Sequence, residues 1–495
     1  MTSVNNIISR TYFKLVLNLK SPLNLGNGAS YYTDSDLLFR YAVDKNNHNT
    51  FSTRHKEYFI PGSSVAGAFR DYYLSFCPEK ADKSDSNIYG YADGNNGRMS
   101  SVYFSDITFL NNDLIPTIRD FASLNQAGYS TESLLSAKQV NNKFDMEILE
   151  PGIKGNLYIE CITREKDQIS AKKELYKALL ALNNGEIRLG SKKTRGFGVF
   201  EIEKIYERTF TKDNFENWLD FMNHPIDDDS RFDEEETSKA GKDSHLFASW
   251  KESKNKNNIV CDTDKWIHVS IPLEQVGGIS IRKYSATNGD PDYIQMSCNG
   301  KPVIPGSSWM GAIRSDARAI LAELGIESKY IDDCLNVWFG CVIPKKKALS
   351  PKEITNSTSS FIESQSSKII VDESILQNGN YLPMTRNQID RFTGGTVGSA
   401  LYTEKAFYNG TTTFSFHIKK YDKELEEKYP YQALIGLMKL IVQDIKQGYV
   451  TVGGQTSIGR GIFTSTDEKE DWYGIDLDKC NKEFYKFCKQ YKEGK

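Results

Sequence analysis

Hydrophobic and polar positions follow two periods along this chain, one typical of strands and one typical of helices. Apolar side chains recur at every second position in residues 12–19 and again in residues 266–273, which predicts two half-buried strands. Amphipathic helices are predicted at residues 172–183 and 431–447, and in the segments that follow Gly62 and Gly306. Shorter strand patterns are found at residues 101–110, 157–162, 199–205, 412–418 and 462–464.

The chain contains the same set of elements twice. Residues 60–70, IPGSSVAGAFR, recur as residues 304–314, IPGSSWMGAIR, with eight of eleven positions identical. A glycine-rich segment follows in each copy, LGSKKTRGFGVF at 189–200 and VGGQTSIGRGIF at 452–463. Because both motifs keep their order and rough spacing, duplication of one domain explains them better than chance does.

Each copy has the order strand, helix, strands, helix, strand, which predicts an α+β fold of two tandem ferredoxin-like (βαββαβ) domains. We assign residues 1–210 to the first domain and residues 265–466 to the second. Residues 211–264 contain an acidic run and a lysine- and asparagine-rich run, so they are predicted to form a polar, solvated linker. Residues 467–495 are predicted to be a charged tail. Part of the linker has apolar residues at helical spacing, namely Phe215, Trp218, Leu219 and Met222.

Composition narrows the class of protein. Among the 495 residues, 39% are hydrophobic and 26% are charged, which excludes a disordered or collagen-like chain. A net charge of −3 excludes a globally basic nucleic-acid coat but is compatible with a local basic groove. The eight cysteines form no Cys-x-x-Cys pair, so no zinc site is predicted. The first residues lack a signal-peptide pattern and no apolar run is long enough to cross a bilayer, so we expect a cytoplasmic protein without membrane contacts.

The two repeated motifs are suited to binding an anion. The start of a helix offers free N–H groups to a phosphate, and a glycine-rich segment can bring bare backbone amides against it. Lys192, Lys193 and Arg195 add positive charge in the first copy, whereas the second copy has only Arg460. Each motif also has a structural interpretation, because serine can cap a helix and glycine can form a turn with positive φ. The occurrence of both motifs twice favours a repeating polyanion.

These residues resemble the RAMP superfamily of CRISPR proteins. The two IPGSS segments and the glycine-rich segments are similar in particular to the repeating backbone subunit of type III effector complexes. Residues 384–395, MTRNQIDRFTGG, followed by GSALY at 398–402, resemble the thumb of that subunit. Residues 117–120 with 122–125 are a looser version of the thumb in the first copy. The chain therefore resembles a fused double backbone subunit with an inserted thumb hairpin in each domain.

The resemblance implies an RNA-guided endoribonuclease for antiviral defence. Its implied partners are a CRISPR guide RNA, a complementary target RNA and other CRISPR effector subunits in a ribonucleoprotein. The implied cofactor is a loosely bound divalent cation, expected to be Mg²⁺, and no organic cofactor is implied. In the family, the thumb kinks the guide–target duplex and an aspartate cuts the target RNA at the kink.

The resemblance also implies site residues. The family's aspartate lies in the loop before the glycine–serine helix and is followed, after two residues, by two aliphatic residues. Asp34 fits this pattern well and Asp290 less neatly, and both are also candidate ligands of the cation. Asp36 and Asp292 are secondary candidates, so the active carboxylate of each copy stays open. The candidate RNA contacts are Ser63, Ser64, Arg70, Lys192, Lys193, Arg195, Ser307, Ser308, Arg314, Arg386, Arg391 and Arg460.

Other interpretations stay open at this point. The chain could be a scaffold subunit that binds RNA without cutting it, and Arg70 and Arg314 could be structural ion-pair partners rather than RNA contacts. A guide-processing RAMP nuclease commonly uses histidine, for which the candidates are His48, His55, His268 and His417. A ferredoxin-like protein unrelated to RNA would leave the paired anion-binding motifs unexplained.

Overall fold

The structure is a computed structural model of the whole chain. The residues that it describes are 6–28, 30, 32–43, 51–75, 87–93, 96–111, 114–122, 143–165, 167, 170–226, 228, 231–232, 266–284, 290–341, 365–397, 401–420, 423–465, 472 and 475–492. The chain divides into two compact units. Unit 1 comprises Met1–Lys193 and Phe197–Cys261, and unit 2 comprises Thr194–Gly196 and Asp262–Lys495.

Unit 1 is built around a long antiparallel sheet. Its helices are α1 (Gly62–Leu74), α2 (Ala171–Asn183) and α3 (Phe215–Asn223). Its strands are β1 (Ile7–Leu19), β2 (Phe39–Val43), β3 (Phe51–Ile60), β4 (Tyr91–Asp93), β5 (Asn96–Arg98), β6 (Val102–Phe104), β7 (Ile107–Phe109), β8 (Thr117–Ala122), β9 (Lys143–Ile148), β10 (Lys154–Arg164) and β11 (Phe200–Thr211).

The main sheet of unit 1 has the spatial order β11, β1, β10, β7, β3, β2, and β6 also pairs with β10. The first four strands in this order, β11, β1, β10 and β7, are the fourth, first, third and second of the four when they are counted along the chain around α1 and α2. The predicted alternation in β1 is confirmed, because Leu15, Leu17 and Leu19 are fully buried. These side chains form one core with apolar residues of α1 and α2, including Phe69 and Leu182.

The segment after β11 packs on the other face of this sheet instead of forming a solvated linker. The predicted helix is confirmed as α3, whose Trp218 Nε1 donates to Tyr12 Oη of β1 at 3.0 Å. Phe215, Leu219 and Met222 of the predicted apolar spacing are nevertheless exposed. Phe221 is buried and forms a cluster with Phe210 of β11. Aromatic side chains on the sheet therefore supply an apolar surface that α3 covers. Most of the acidic run and the whole lysine- and asparagine-rich run lie outside the described residues.

Unit 2 repeats the pattern with larger helices. Its helices are α4 (Gly306–Glu323), α5 (Ser328–Phe339), α6 (Lys423–Lys428), α7 (Tyr431–Lys446) and α8 (Leu477–Lys492). Its strands are β12 (Trp266–Val276), β13 (Gly278–Ile279), β14 (Arg282–Tyr284), β15 (Tyr293–Gln295), β16 (Ser297–Cys298), β17 (Lys301–Ile304), β18 (Ile369–Val371), β19 (Ser374–Ile375), β20 (Asn380–Arg386), β21 (Tyr402–Tyr408), β22 (Thr411–Lys419) and β23 (Ile462–Thr464).

The main sheet of unit 2 has the order β18, β22, β12, β23, and its pairs are antiparallel. Read from β23 and counted along the chain around α4 and α7, this is again fourth, first, third, second. Trp309 of α4 is fully buried against Phe414 of β22, and its Nε1 donates to Ser374 Oγ at 3.1 Å. Each unit thus packs its glycine–serine helix onto one face of a four-position antiparallel sheet.

The segment predicted as a charged tail contains α8, which packs on α7. Cys480, Phe484 and Phe487 are buried, while the lysines of α8 remain exposed. A Cβ at Gly436 of α7 would lie 2.6 Å from the carbonyl oxygen of Cys480, so glycine permits the close approach of the two helices. The charge of this segment is therefore that of one face of an amphipathic helix.

We expect the stability of unit 2 to depend on pH through Asp316 of α4. Burial, with Asp444 and Glu323 nearby, raises the pKa of Asp316 to about 7. The native state therefore binds a proton here more tightly than the unfolded chain does, and this contribution to stability is lost as pH rises from about 4 through 7. We predict that Asp316→Asn raises the melting temperature by about 2 °C at pH 8 and leaves it unchanged near pH 4.

Thermal unfolding followed by circular dichroism from pH 4 to 8 measures this difference. Glu427→Gln, which changes an exposed carboxylate on α6 of the same unit, is the control and should not alter the curve. An Asp316→Asn effect of equal size at both ends of the pH range would contradict the assignment.

Candidate nucleic-acid interface

The two glycine-rich segments adopt the same backbone path. Gly198 and Gly461 have φ of 75° and 71°, and an added Cβ would lie 1.8 and 1.9 Å from the carbonyl oxygens of Leu189 and Val452. The same residues close each loop, since the Leu189 amide donates to Gly198 O at 3.0 Å and the Val452 amide donates to Gly461 O at 2.9 Å. The structural interpretation of these glycines as a tight turn is therefore confirmed.

The cations of the first loop have different environments. Lys192 has a left-handed backbone, with φ of 54°, and its Nζ lies 4.7 Å from the centre of the Phe144 ring of β9. The side chains of Lys193 and Arg195 are exposed. The loop therefore presents two exposed positive charges and directs a third toward the hairpin formed by β8 and β9.

The second loop does not present its predicted cation. Arg460 is only 4% exposed, and its Nη2 lies 2.6 Å from Oε1 of Glu404, which is 1% exposed. Arg386 Nε lies 2.7 Å from the same oxygen, and Gln455 Nε2 donates to Oε2 at 3.0 Å. Arg460 is therefore not exposed as a candidate RNA contact in this structure, because β21 supplies a buried carboxylate that pairs with it.

An apolar cluster occupies the corresponding place in unit 1. Phe197 stands at the position that matches Arg460, and it is buried with Phe121, Met146 and Ile148 of β8 and β9. Both units therefore attach the loop to the neighbouring hairpin, one by apolar packing and the other by a buried ion pair.

The serines do not cap the helices as predicted. Pro61 and Pro305 occupy the N-cap positions, and no side chain caps either helix from there. Ser63, Ser64, Ser307 and Ser308 consequently lie in the first turns, where Ser63 is exposed and the others are half-buried. The proline before each glycine shifts the start of the helix by two residues relative to the serine-cap prediction.

A carboxylate of the protein already occupies part of the predicted anion site of α1. Gly62 N donates to Asp106 Oδ1 at 2.8 Å, and Arg40 Nη1 lies 3.5 Å from the other oxygen of Asp106. This interaction is favourable because a negative charge stabilises the positive end of a helix. The amide of Gly62 is thus engaged before any phosphate binds.

The sequence leaves two roles open for the helix arginines Arg70 and Arg314, which are structural partner and RNA contact. Arg314 of α4 donates to Gly340 O at 2.8 Å and to Asn336 Oδ1 at 3.1 Å, so it joins α4 to the end of α5. Burial lowers the pKa of Arg314. These bonds favour the structural interpretation of Arg314. Arg70 is half-buried on α1.

Asp34 and Asp36 lie in one turn but have different roles in it. Asp36 is 2% exposed, and its Oδ1 accepts from Thr33 N at 2.9 Å and from Thr33 Oγ1 at 3.0 Å. Asp34 is exposed, and its Oδ2 accepts the backbone N–H of Asp145 in β9 at 3.0 Å. Asp36 therefore fixes the turn, whereas Asp34 presents a carboxylate to solvent.

In unit 2, Asp292 has the contact that corresponds to that of Asp34. Its Oδ2 accepts the backbone N–H of Thr403 in β21 at 2.7 Å, and both aspartate–strand pairs are separated by 111 residues. Asp290 and Asp292 are both exposed. By hydrogen bonding, the counterpart of Asp34 is thus Asp292, although the sequence pattern gives priority to Asp290.

Each unit carries a hairpin beside its aspartate. In unit 1, β8 pairs with β9 from Thr117 opposite Ile148 to Ala122 opposite Lys143. In unit 2, β20 pairs with β21 from Asn380 opposite Tyr408 to Arg386 opposite Tyr402. Part of the predicted thumb, residues 398–400, and residues 123–125 of the looser version lie outside the described residues.

The described end of the second hairpin holds an aromatic ring in solvent. Asp390 Oδ1 accepts the backbone N–H groups of Phe392 and Thr393, each at 2.8 Å, and these bonds lower the pKa of Asp390. Phe392 is 99% exposed and Arg391 beside it is exposed. A fixed turn therefore presents a ring and a cation, the pair of groups that can stack on bases and contact phosphate.

The two candidate histidines of unit 2 contact each other within the main sheet. His268 and His417 contact each other across β12 and β22, and His417 Nε2 lies 2.7 Å from Asp372 Oδ2. His268 is 7% exposed, which fits a pair within the sheet. His48 and the side chain of His55 lie outside the described part of the chain.

Two negative findings concern the described residues alone. No group of three or more His, Cys, Asp or Glu side chains is placed there to hold a metal ion. Nor does that part of the chain contain a helix that is long and apolar enough to span a membrane.

The glycine geometry generates a stability prediction with a matched control. Gly461→Ala should destabilise unit 2 by about 3 kcal/mol, because the new Cβ overlaps the carbonyl of Val452 and the backbone must move. Gly459 also has positive φ, at 80°, but no atom lies within 4 Å of its added Cβ, so Gly459→Ala should cost only about 1 kcal/mol. Urea unfolding compares them, and equal costs would contradict a steric role for Gly461.

Comparisons with known proteins identify the family to which the two repeated parts of the chain belong. A search of curated proteins finds no match. The family model described as "RAMPs: RAMP superfamily" matches residues 16–201 and 290–464, which cover most of the chain and fall in the two repeated parts. The chain therefore belongs to the RAMP superfamily and contains two RAMP regions.

Proposed function

We propose that this protein is a guide-RNA-binding backbone subunit of a type III CRISPR effector complex, and that it cleaves complementary target RNA. The observation that carries the proposal is the repeated placement of an exposed aspartate against a hairpin strand. Asp34 accepts a backbone N–H of β9, and Asp292 accepts a backbone N–H of β21. Membership of the RAMP superfamily supports an RNA-associated function for this arrangement.

The fold supports the proposal in a second way. We assign both units to the ferredoxin-like class, because the order fourth, first, third, second recurs in their antiparallel main sheets. The hairpins β8–β9 and β20–β21 are then insertions that act as thumbs. Such insertions place polar and aromatic groups beside the sheet without disturbing its core.

Exposed groups near the thumbs are suited to RNA. Lys193, Arg195 and Arg391 can contact the phosphate backbone, which dominates affinity for nucleic acid. Phe392 can stack on an unstacked base at a kink in the guide–target duplex. The remaining candidate contacts are Ser63, Ser64, Arg70, Lys192, Ser307, Ser308 and Arg386, and the partners would include guide RNA, target RNA and other effector subunits.

The proposed chemistry uses the hydroxyl of the substrate itself. The 2′-hydroxyl oxygen at the kink attacks the adjacent phosphorus, and the bond from phosphorus to the 5′-oxygen breaks, which leaves a 2′,3′-cyclic phosphate and a 5′-hydroxyl. Asp34 or Asp292 orients the 2′-hydroxyl and accepts its proton. A kinked nucleotide supplies the in-line geometry that this attack needs.

A divalent cation fits the donors in unit 1. The exposed carboxylate of Asp34 could hold Mg²⁺ together with water and RNA oxygens, because Mg²⁺ is usually bound through one or two carboxylates. Such an ion would supply charge stabilisation at the phosphate. Asp290 or Asp292 would be the corresponding ligand in unit 2.

Cleavage by the reconstituted, guide-loaded complex tests the proposal. Asp34→Ala and Asp292→Ala should each abolish one distinct cut in the target RNA, lowering its rate by about 100-fold or more, with guide binding intact. Mapping of the product ends identifies which cut is lost. Loss of the second cut in Asp290→Ala, but not in Asp292→Ala, would transfer the role to Asp290. Full cleavage by a variant that combines Asp34→Ala, Asp290→Ala and Asp292→Ala would contradict the catalytic proposal and favour a scaffold subunit.

A further inference from the structure

The catalytic candidate of unit 1 has a second contact with the thumb. Asp34 Oδ2 accepts the backbone N–H of Asp145 at 3.0 Å, and Asp145 Oδ1 accepts the backbone N–H of Asp34 at 3.0 Å. We propose that Asp145 is a positioning residue that fixes the Asp34 carboxylate for attack on the target RNA. This inference rests on the proposed cleavage by Asp34.

The reciprocal pair constrains a side chain that would otherwise be free to rotate. Asp34 is exposed, so packing does not fix its rotamer. One bond holds its carboxylate and the other holds its backbone, and both lead to the same residue of β9. The orientation of the Asp34 carboxylate is therefore coupled to the position of a thumb strand.

Two further residues of this turn, Ser35 and Leu37, also form hydrogen bonds with β9. Glu147 N donates to Ser35 O at 3.1 Å, and Leu37 N donates to Glu147 Oε2 at 2.9 Å. Asp145 and Glu147 are two residues apart in β9, so their side chains lie on the same face of the strand. Hydrogen bonds to Asp145 and Glu147 thus hold the turn that contains Asp34 along β9.

Unit 2 lacks the side chain that makes the return bond. Thr403 stands in the place of Asp145 and supplies its backbone N–H to Asp292. The Thr403 hydroxyl instead lies 3.0 Å from the Thr385 hydroxyl on the paired strand β20. Among the described residues, Asp34 thus has two hydrogen bonds with its hairpin residue and Asp292 has one. The cut assigned to Asp292 therefore provides an internal reference for changes at Asp145.

The test compares two substitutions at Asp145 in the guide-loaded complex. Asp145→Ala removes the acceptor and should lower the single-turnover rate of the Asp34-dependent cut by about tenfold or more, with target affinity unchanged. Asp145→Asn keeps an oxygen acceptor of the same shape and should retain most of the rate. The Asp292-dependent cut should not change in either variant. Glu216→Ala removes an exposed carboxylate from α3 of the same unit and is the control for loss of charge.

Three outcomes would overturn the inference. Cutting by Asp145→Ala at the wild-type rate would show that Asp34 needs no support from Asp145. Equal loss in Asp145→Asn and Asp145→Ala would show that the charge of Asp145 itself takes part. An equal slowing of both cuts would contradict a role of Asp145 that is specific to Asp34.

Amide exchange separates this inference from the proposed function. In the chain without RNA, Asp145→Ala should accelerate hydrogen exchange at the Asp34 amide, because that amide loses its acceptor, whereas Asp145→Asn should protect it. If the wild-type complex cuts nowhere, the proposed function fails and exchange alone decides whether Asp145 positions Asp34. Unchanged exchange in Asp145→Ala would then overturn the inference.

Discussion

In each unit, a backbone N–H of a hairpin strand donates to the carboxylate of an exposed aspartate, and the whole candidate site depends on this bond. The bond is local in space but joins residues 111 positions apart, so it forms only once the sheet and the hairpin are in place. The core is therefore needed for the candidate site, because it brings the turn and the strand together. A backbone donor also makes the arrangement tolerant of side-chain changes, which fits Asp145 in one unit and Thr403 in the other.

The two units keep one backbone plan and have diverged in the side chains that stabilise it. The glycine-rich loops match in φ and in their closing hydrogen bonds, because Gly198 and Gly461 allow no Cβ at that point. Beside the loops, Phe197 packs in an apolar cluster, whereas Arg460 pairs with a buried Glu404. A buried ion pair carries a desolvation cost that apolar packing avoids, so removing Glu404 in unit 2 would leave the buried charge of Arg460 uncompensated. The two hairpins are therefore attached by different forces.

Much of the fold could be predicted from the sequence, because periodicity and repetition are local signals. The duplicated motifs, the strands β1 and β12 and the helices α2 and α7 follow directly from such patterns. The helix opened by the Gly-Ser-Ser element could also be predicted, although proline rather than serine takes its N-cap position. The covering of the unit 1 sheet by α3 depends on aromatic residues of distant strands, which no spacing reveals.

The candidate site was harder to predict, because its contacts join residues that are far apart in the sequence. The burial of Arg460 is set by Glu404, which is 56 residues away. The equivalence of Asp34 and Asp292 is set by strand pairing, which the loop pattern does not encode. A usable signal was nevertheless present, since Asp145 and Thr403 lie equally far from the two aspartates.

A structure of the complex with guide and a target RNA whose 2′-hydroxyls are replaced at the cuts tests the central claim most directly. The account predicts that the 2′ position at one cut lies within about 3 Å of the Asp34 carboxylate, or within reach through one water, and that Asp292 holds the same place at another cut. A guide–target duplex bound on a surface remote from both carboxylates would contradict it.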